Sequence, residues 1–173
     1  MSHQALFLID FQEDFLSPRG RLPVDPGQIE PVIAAAQGAV DVAQTEGHLI
    51  VKIGNQFRPG DLIRNLFRHH ASIKGSAGSV WDGRIDPPGA AFVPKWKASA
   101  FCNPALGVLL DEARVDTVRI TGLYAKACVT ATAKAAQRRG LSVQVIGDAT
   151  ACSSDDSRRS ALDGLRKFGI EIV

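Results

Sequence analysis

The sequence predicts an α/β fold: a three-layer sandwich around a six-stranded, mainly parallel sheet, Rossmann-like, in one domain over residues 1–173. Two observations carry this. Short apolar runs of strand length alternate along the chain with segments whose apolar residues recur at helical spacing. Glycines (Gly47, Gly140, Gly169) stand where several of those helical segments should stop. A parallel strand pair needs a helix-length crossover, almost always right-handed, so such alternation builds a sheet with helices on both faces.

Residues 5–9 (ALFLI) are continuously apolar, as in a strand covered on both faces, and the run stops at Asp10. Turn signals follow at Ser17-Pro18-Arg19-Gly20 and Asp25-Pro26-Gly27. Residues 29–46 read as a helix with Ile29, Val32, Ile33, Ala36, Val40 and Ala43 on one face, and residues 48–53 as a second strand. A short amphipathic helix is expected over 61–68, capped by Asp61, with Leu62, Ile63, Leu66 and Phe67 turned inward. Residues 73–89, rich in Gly, Pro and Ser, form a long irregular loop of the kind that carries function. The third strand is 90–95, with Pro94 marking its end or a sheet edge. Asn103 then caps a helix over 103–113 that has Pro104 in its first position. A fourth strand (115–123), an alanine-rich helix (126–139), a fifth strand (141–146), a helix (155–168) and a sixth strand (170–173) complete the pattern.

Composition narrows the function classes. With 45% apolar and 22% charged residues and a formal charge of +2, the chain has no basic block or aromatic-plus-basic cluster, so no nucleic-acid partner is expected. No apolar run approaches the roughly 20 residues of a membrane span. Residues 1–4 lack the pattern of a secretory signal, and a cytoplasmic protein is expected. Three cysteines (Cys102, Cys128, Cys152) cannot all pair within the chain, which favours reduced thiols. Neither a G-x-G-x-x-G nor a P-loop pattern follows any strand, so a nucleotide site is not indicated.

In a parallel sheet ligands sit beyond the carboxyl ends of the strands, and three residues of chemical interest fall there. Asp10 follows strand one, Lys95 closes strand three and Cys128 opens the helix after strand four. A sulfur near a helix N-terminus is expected to have a lowered pKa and to offer thiolate near neutral pH. Each residue also has a plainer role. Cys128 fits a small buried apolar site, Asp10 a cap, and Lys95 a surface lysine with Lys97 as a rival on the same side.

Four motifs in order then meet a known pattern. Leu8-Ile9-Asp10-Phe11-Gln12-Glu13-Asp14-Phe15, Lys95-Trp96-Lys97-Ala98-Ser99-Ala100-Phe101, Thr121-Gly122-Leu123 with Cys128-Val129, and Gly147-Asp148-Ala149 resemble the isochorismatase-like cysteine hydrolases over nearly the whole chain. The resemblance implies an isochorismatase-like hydrolase fold, an Asp10-Lys95-Cys128 triad and hydrolysis of a C–N bond in a small amide or ureido compound through a thioester. It selects Lys95 over Lys97, because in the family three residues separate the lysine from the Ser-Ala-Phe element. It also implies a cis peptide at Leu123-Tyr124 and an oxyanion site built from the backbone N–H groups of Tyr124 and Cys128.

Departures from the pattern choose among subgroups. Nicotinamidase-like members carry an Asp-x-His metal motif after strand two, whereas this chain reads Ile53-Gly54-Asn55-Gln56-Phe57, with only the adjacent His69 and His70 nearby. No metal and no cofactor are therefore expected. Tyr124-Ala125 resembles the vinyl-ether-cleaving isochorismatases, in which an acid such as Asp10 acts without a thiol; the retained Cys128 favours amide chemistry. A non-catalytic binding or scaffold member of the fold is the remaining alternative. Phe11, Gln12, Phe15, Asn55, Trp96, Phe101 and Tyr124 are expected to wall the substrate pocket. Arg58, Arg64 and Arg68 are read as a solvated helix face in preference to a carboxylate clamp. The expected partners are a small-molecule substrate and further copies of the chain in a homo-oligomer.

Overall fold

The computed structural model describes residues 3–173, apart from the Arg64 side chain; Met1 and Ser2, part of the segment over which no secretory signal is expected, lie outside the described residues. Six strands, β1 (Gln4–Ile9), β2 (Leu49–Asn55), β3 (Ala91–Lys95), β4 (Thr117–Leu123), β5 (Ser142–Ala151) and β6 (Glu171–Ile172), form one sheet in the order β3-β2-β1-β4-β5-β6. Every neighbouring pair is parallel. The order reverses between β1 and β4, so the crevice at their carboxyl ends is the natural ligand position.

Side-chain alternation assigns the two faces. In β1, Ala5, Phe7 and Ile9 enter one core, where they meet Leu106 and Leu110 of α4 (Pro104–Glu112), Ala133 and Ala136 of α5 (Thr130–Arg138) and Leu162 and Leu165 of α6 (Asp155–Lys167). Leu6 and Leu8 enter the other, under Ile29, Val32, Ile33, Ala36 and Val40 of α2 (Pro26–Thr45). A four-residue α1 (Glu13–Leu16) precedes α2 and adds Phe15 and Leu16 to that second core. Asn103 caps α4 as expected, its side chain accepting from Ala105 N at 3.0 Å with Pro104 in the first turn.

β5 runs past the predicted end at residue 146 to Ala151. The reason is a register shift against β4. Ile120 faces Val145 and Gly122 faces Thr150, so β5 advances five residues while β4 advances two. Three extra residues are an odd number, and an odd slip turns a strand over. Val143 and Val145 accordingly belong to one core and Ala149 and Ala151 to the other. An alternation rule read along the sequence has no way to cross such a bulge.

The short helix α3 (Leu62–Phe67) forms where predicted but not with the orientation predicted. Leu62, Ile63, Leu66 and Phe67 are exposed, at 71, 74, 66 and 82%. Six residues span barely two turns, and the buried residue of the helix is the polar Asn65, whose amide donates to Arg58 O at 2.9 Å. A polar anchor inside leaves the apolar residues facing out. The loop over 73–89 is ordered by short 3₁₀ turns at Ala77–Ser79 and Gly83–Ile85. It packs on the β1–α1 segment: Glu13 N donates to Val80 O at 3.0 Å and Asp82 N to Phe11 O at 2.9 Å. Among the described residues no helix is long and apolar enough to cross a membrane.

Candidate active site

Asp10 leaves β1 in the left-handed region, φ 60°, with its N–H donating to Ile53 O at 2.8 Å and its carbonyl accepting from Gln12 N at 2.7 Å. Only Asn and Asp among side-chain-bearing residues visit this region readily, and at the end of β1 the conformation turns the carboxylate over the sheet edge. Lys95 ends β3 fully buried. Cys128 follows β4 inside a π-helical turn (Ala125–Val129) that leads into α5, and the Leu123–Tyr124 peptide before it is cis.

These three side chains converge. The Lys95 ammonium is 2.9 Å from Asp10 Oδ2 and donates to Cys128 Sγ at 3.2 Å and to Asn55 Oδ1 at 2.6 Å. An ammonium has three N–H donors, and this one spends them on three side chains from three strand ends, with Lys97 O a further acceptor at 3.4 Å. Lys97 itself is exposed, which separates it from its rival. Beyond the ion pair neither Asp10 oxygen holds a hydrogen bond of ordinary geometry, and the Cys128 thiol and the Asn55 backbone are the neighbouring groups that interact with it.

The electrostatics differ from the helix-terminus expectation. Burial, then the Asp10 charge, pushes the Cys128 thiol up to about 12, and the nearby ammonium only partly offsets this. The sequence reading had the thiol lowered. The π-helical turn places the sulfur beside a carboxylate in a dry site, and the desolvation of a thiolate there outweighs a helix-end dipole. Burial also raises Asp10 above the usual carboxylate range despite Lys95. Burial pulls Lys95 down, but the Asp10 and Cys128 charges outweigh it and the ammonium is held above its ordinary value. Burial thus keeps the thiol protonated, leaves Lys95 as an ammonium and makes the Asp10 carboxylate a stronger proton acceptor than an exposed one.

Over this cluster opens a cavity of about 190 Å³, lined by Asp10, Phe15, Leu22, Asn55, Phe57, Arg68, Ala71, Ala98, Tyr124, Ala127 and Cys128. The comparisons bear on what such a site belongs to. An isochorismatase domain model matches residues 4–173. The chain belongs to the isochorismatase family. Among curated relatives it is 28% identical over 151 residues to a streptothricin hydrolase of Streptomyces noursei, covering 86% of this chain and 49% of that one. The chain thus spans about half the length of that relative. It is 26% identical over 155 residues to the ureidoacrylate amidohydrolase RutB of an Enterobacter strain, covering 75% of this chain and 67% of the other. An isochorismatase-like hydrolase from Alkaliphilus metalliredigens has the same fold, with a TM-score of 0.90 at 27% identity over 99% of this chain and 94% of that one.

Within this isochorismatase-family chain, three of the expected wall residues, Phe15, Asn55 and Tyr124, do line the cavity. The other four lie elsewhere. Phe11 is fully buried and packs against Trp81, ring centroids 6.2 Å apart. Gln12 is a strut: its amide accepts from Asn55 N at 2.7 Å and donates to Asn55 O at 3.0 Å and Ser79 O at 2.7 Å. Trp96 is 39% exposed and lines an outer groove with Arg58 and Lys97. Phe101 packs beside Phe7 at 6.4 Å with Arg139 over its ring at 5.0 Å.

Leu22, Phe57, Arg68, Ala71, Ala98 and Ala127 were not singled out as wall residues, because they reach the cavity from turns and loops where no periodicity marks a face. Of the three arginines read as a solvated face, Arg58 is exposed, the Arg64 side chain lies outside the described residues and Arg68 lines the cavity. Asp14 is a further residue that organises the site. Its carboxylate accepts from Ser72 N at 2.7 Å and Arg21 N at 3.1 Å, tying both loops that carry wall residues to α1. A metal fits poorly here. The end of β2 offers Asn55, whose side-chain oxygen is taken by Lys95, and His69 and His70 are exposed; among the described residues no group of three His, Cys, Asp or Glu could hold an ion.

Proposed function

We propose that this chain is a metal-independent cysteine hydrolase that cleaves a C–N bond of a small amide or ureido compound. One observation carries the reading: a single buried ammonium bridges the Asp10 carboxylate at 2.9 Å and the Cys128 sulfur at 3.2 Å. Asp10 takes the thiol proton as Sγ attacks the carbonyl carbon, and the C=O pair moves onto oxygen. The backbone N–H groups of Tyr124 and Cys128 receive that oxyanion, a donor of this kind being worth about 10²-fold or more in rate. Collapse breaks the C–N bond, and Asp10 returns the proton to the departing amine. Water then adds to the thioester, again giving its proton to Asp10, and the acid leaves as the thiol re-forms.

The raised thiol pKa fits this sequence of events. A thiolate that exists only during attack needs a base in contact with it, and Asp10 is that base. The relationship to an amidohydrolase and the cavity volume of about 190 Å³, roughly six waters at ~30 Å³ each, support a small substrate. The test is release of ammonia or amine from a panel of small primary amides and carbamoyl and ureido acids, with and without chelator, beside Cys128→Ala. Turnover is expected to survive chelation and to vanish in the variant.

A second reading has its own support. Burial holds the Asp10 carboxyl above the usual range, so it carries a proton more readily than an exposed acid and suits acid-catalysed vinyl-ether hydrolysis. Undiminished turnover of a vinyl ether by Cys128→Ala would select it.

A further inference from the structure

Phe57 stands between two spaces. It lines the catalytic cavity of about 190 Å³ and also an outer groove formed with Arg58, Gly60, Ile63, Trp96 and Lys97, and of the described residues it alone lines both. The other bulky apolar walls of the cavity are backed by protein. Phe15 belongs to the core under α2, and Leu22 and Tyr124 pack against that core. The Tyr124 phenol donates to Leu22 O at 2.6 Å, and Phe15 meets the Tyr124 ring edge-on at 6.0 Å. Phe57 is 8% exposed yet belongs to neither core, so the space behind its ring is the groove.

The partition is held in place. Phe57 follows β2, its N–H donating to Ser72 O at 3.1 Å and its carbonyl accepting from Lys74 N at 3.0 Å, in a short parallel bridge with Ile73. On one side Gln56 N donates to Lys95 O at 2.8 Å, which ties the segment to the end of β3 that carries the ammonium. On the other the Asn65 amide donates to Arg58 O at 2.9 Å. The Arg68 guanidinium lies 3.8 Å from the ring centroid and covers one face of it. A ring anchored through its backbone and covered on a face does not swing aside without breaking these contacts, so a molecule in the cavity meets a wall of fixed position.

We propose that Phe57 determines substrate specificity by length: it ends the cavity on the side of the groove and confines the enzyme to amides and ureido compounds with a short chain. This rests on the hydrolase reading above and narrows it. A methylene more or less in an apolar pocket changes kcat/KM by about 10–200-fold, so a fixed end wall imposes a sharp cut-off. Removing the ring joins the cavity to the groove, where a longer chain finds room beside Ile63 and Trp96.

The test uses length-graded alkylation of Cys128 together with hydrolysis. In a Cys102→Ser background, with Cys152 fully buried, iodoacetamide and its N-ethyl, N-butyl and N-hexyl forms react at Cys128: the sulfur bonds to the methylene carbon, iodide leaves and the thiol proton passes to solvent. Rates are normalised to those of a free thiol in solution. With Phe57 in place the N-hexyl reagent is expected to react at least about tenfold more slowly than iodoacetamide, and Phe57→Ala is expected to restore most of that loss. Phe57→Leu, closer in volume, is expected to restore part of it and carries the test if the alanine variant fails to fold. Hydrolysis is read as kcat/KM along straight-chain primary amides and N-alkyl ureas of rising length, and the same order of variants is expected. A decline with length that is absent in the parent, or identical in the parent and every variant folded by circular dichroism, overturns the partition. Ammonia or amine release whose length cut-off ignores Phe57 overturns this inference and leaves the hydrolase reading standing. An alkylation cut-off that moves with Phe57, without turnover of any amide or urea, keeps the partition and removes the hydrolase reading.

Discussion

Asp10 combines two unusual properties: a backbone at φ 60° and a carboxyl that burial raises above its normal range. Asn tolerates the same backbone region and has the same shape, so Asp10→Asn should fold like the parent while lacking the base. We expect kcat to fall by about 10²–10⁴-fold, with a lowered melting temperature because the buried Lys95 ammonium loses its partner, read by ammonia release and calorimetry. The pH dependence follows from the same carboxyl. The base works only when ionised, and its proton is held more tightly than in an exposed acid, so activity must climb with pH at a value above that of a free carboxylate. The acid limb of kcat/KM is therefore expected above about pH 4, and a limb at or below that value would remove Asp10 as the base. At the same scale, Asp10, Lys95 and Cys128 are legible in the sequence because each stands at the end of an apolar run, whereas the ionisation of Cys128 is not. A raised thiol pKa depends on how deep the sulfur sits and which carboxylate touches it, and no local pattern encodes either.

Elements are held in place for this chemistry by a few polar and glycine positions. Gln12 satisfies both the N–H and the C=O of Asn55 and ties the 73–89 loop through Ser79. Gln12→Ala would strand two buried backbone groups beside the Lys95 acceptor, and a loss of about 2–4 kcal/mol in denaturant unfolding is expected. Gly122 pairs with Ile9 at φ 130°, and a Cβ there would run into Ile9 O, so β1 and β4 could not approach. Gly122→Ala should destabilise by about 3 kcal/mol or more, through both strain and collision. The apolar residues of α3 lie at the other extreme. Leu62→Ser or Phe67→Ser, at 71 and 82% exposure, should shift the unfolding free energy by no more than about 0.5 kcal/mol in the same assay. Helical spacing identified α3, but which side faces the protein is decided by the buried Asn65, and amphipathic spacing alone points the wrong way.

On the scale of the whole molecule, the strand order brings distant segments to one point. Asp10 and Cys128 flank the place where the order reverses, and Lys95 reaches them from β3, two strands away from β1. The alternation of strands and helices was enough to foresee this edge, since parallel order places all strand ends on one side. The cavity wall was only partly foreseeable, because Leu22, Arg68 and Ala71 arrive from irregular chain whose path is set by tertiary contacts such as those of Asp14. Lys95 is thus a joint between β3, β1 and the turn after β4 as well as a member of the site.

That joint makes a prediction about stability. Lys95→Met keeps the volume of the side chain but leaves the buried Asp10 carboxylate without its partner, a change that typically costs about 3–5 kcal/mol. The cost must depend on pH. Without the ammonium the folded-state pKa of Asp10 rises further above its unfolded value of about 3.9, so the folded form is favoured most when the acid is protonated. The deficit of Lys95→Met should therefore be small while Asp10 is protonated in both folded forms and should grow as pH rises through the window between the parent's raised folded value and the variant's still higher one. Adding Asp10→Asn removes the stranded charge, so the double variant should recover much of the loss near neutral pH and show little of this pH dependence. Urea unfolding of the parent, both single variants and the double variant at pH 4 and pH 7 completes the cycle. A Lys95→Met deficit equal at both pH values, or undiminished in the double variant, would show that the lysine contributes packing and not charge.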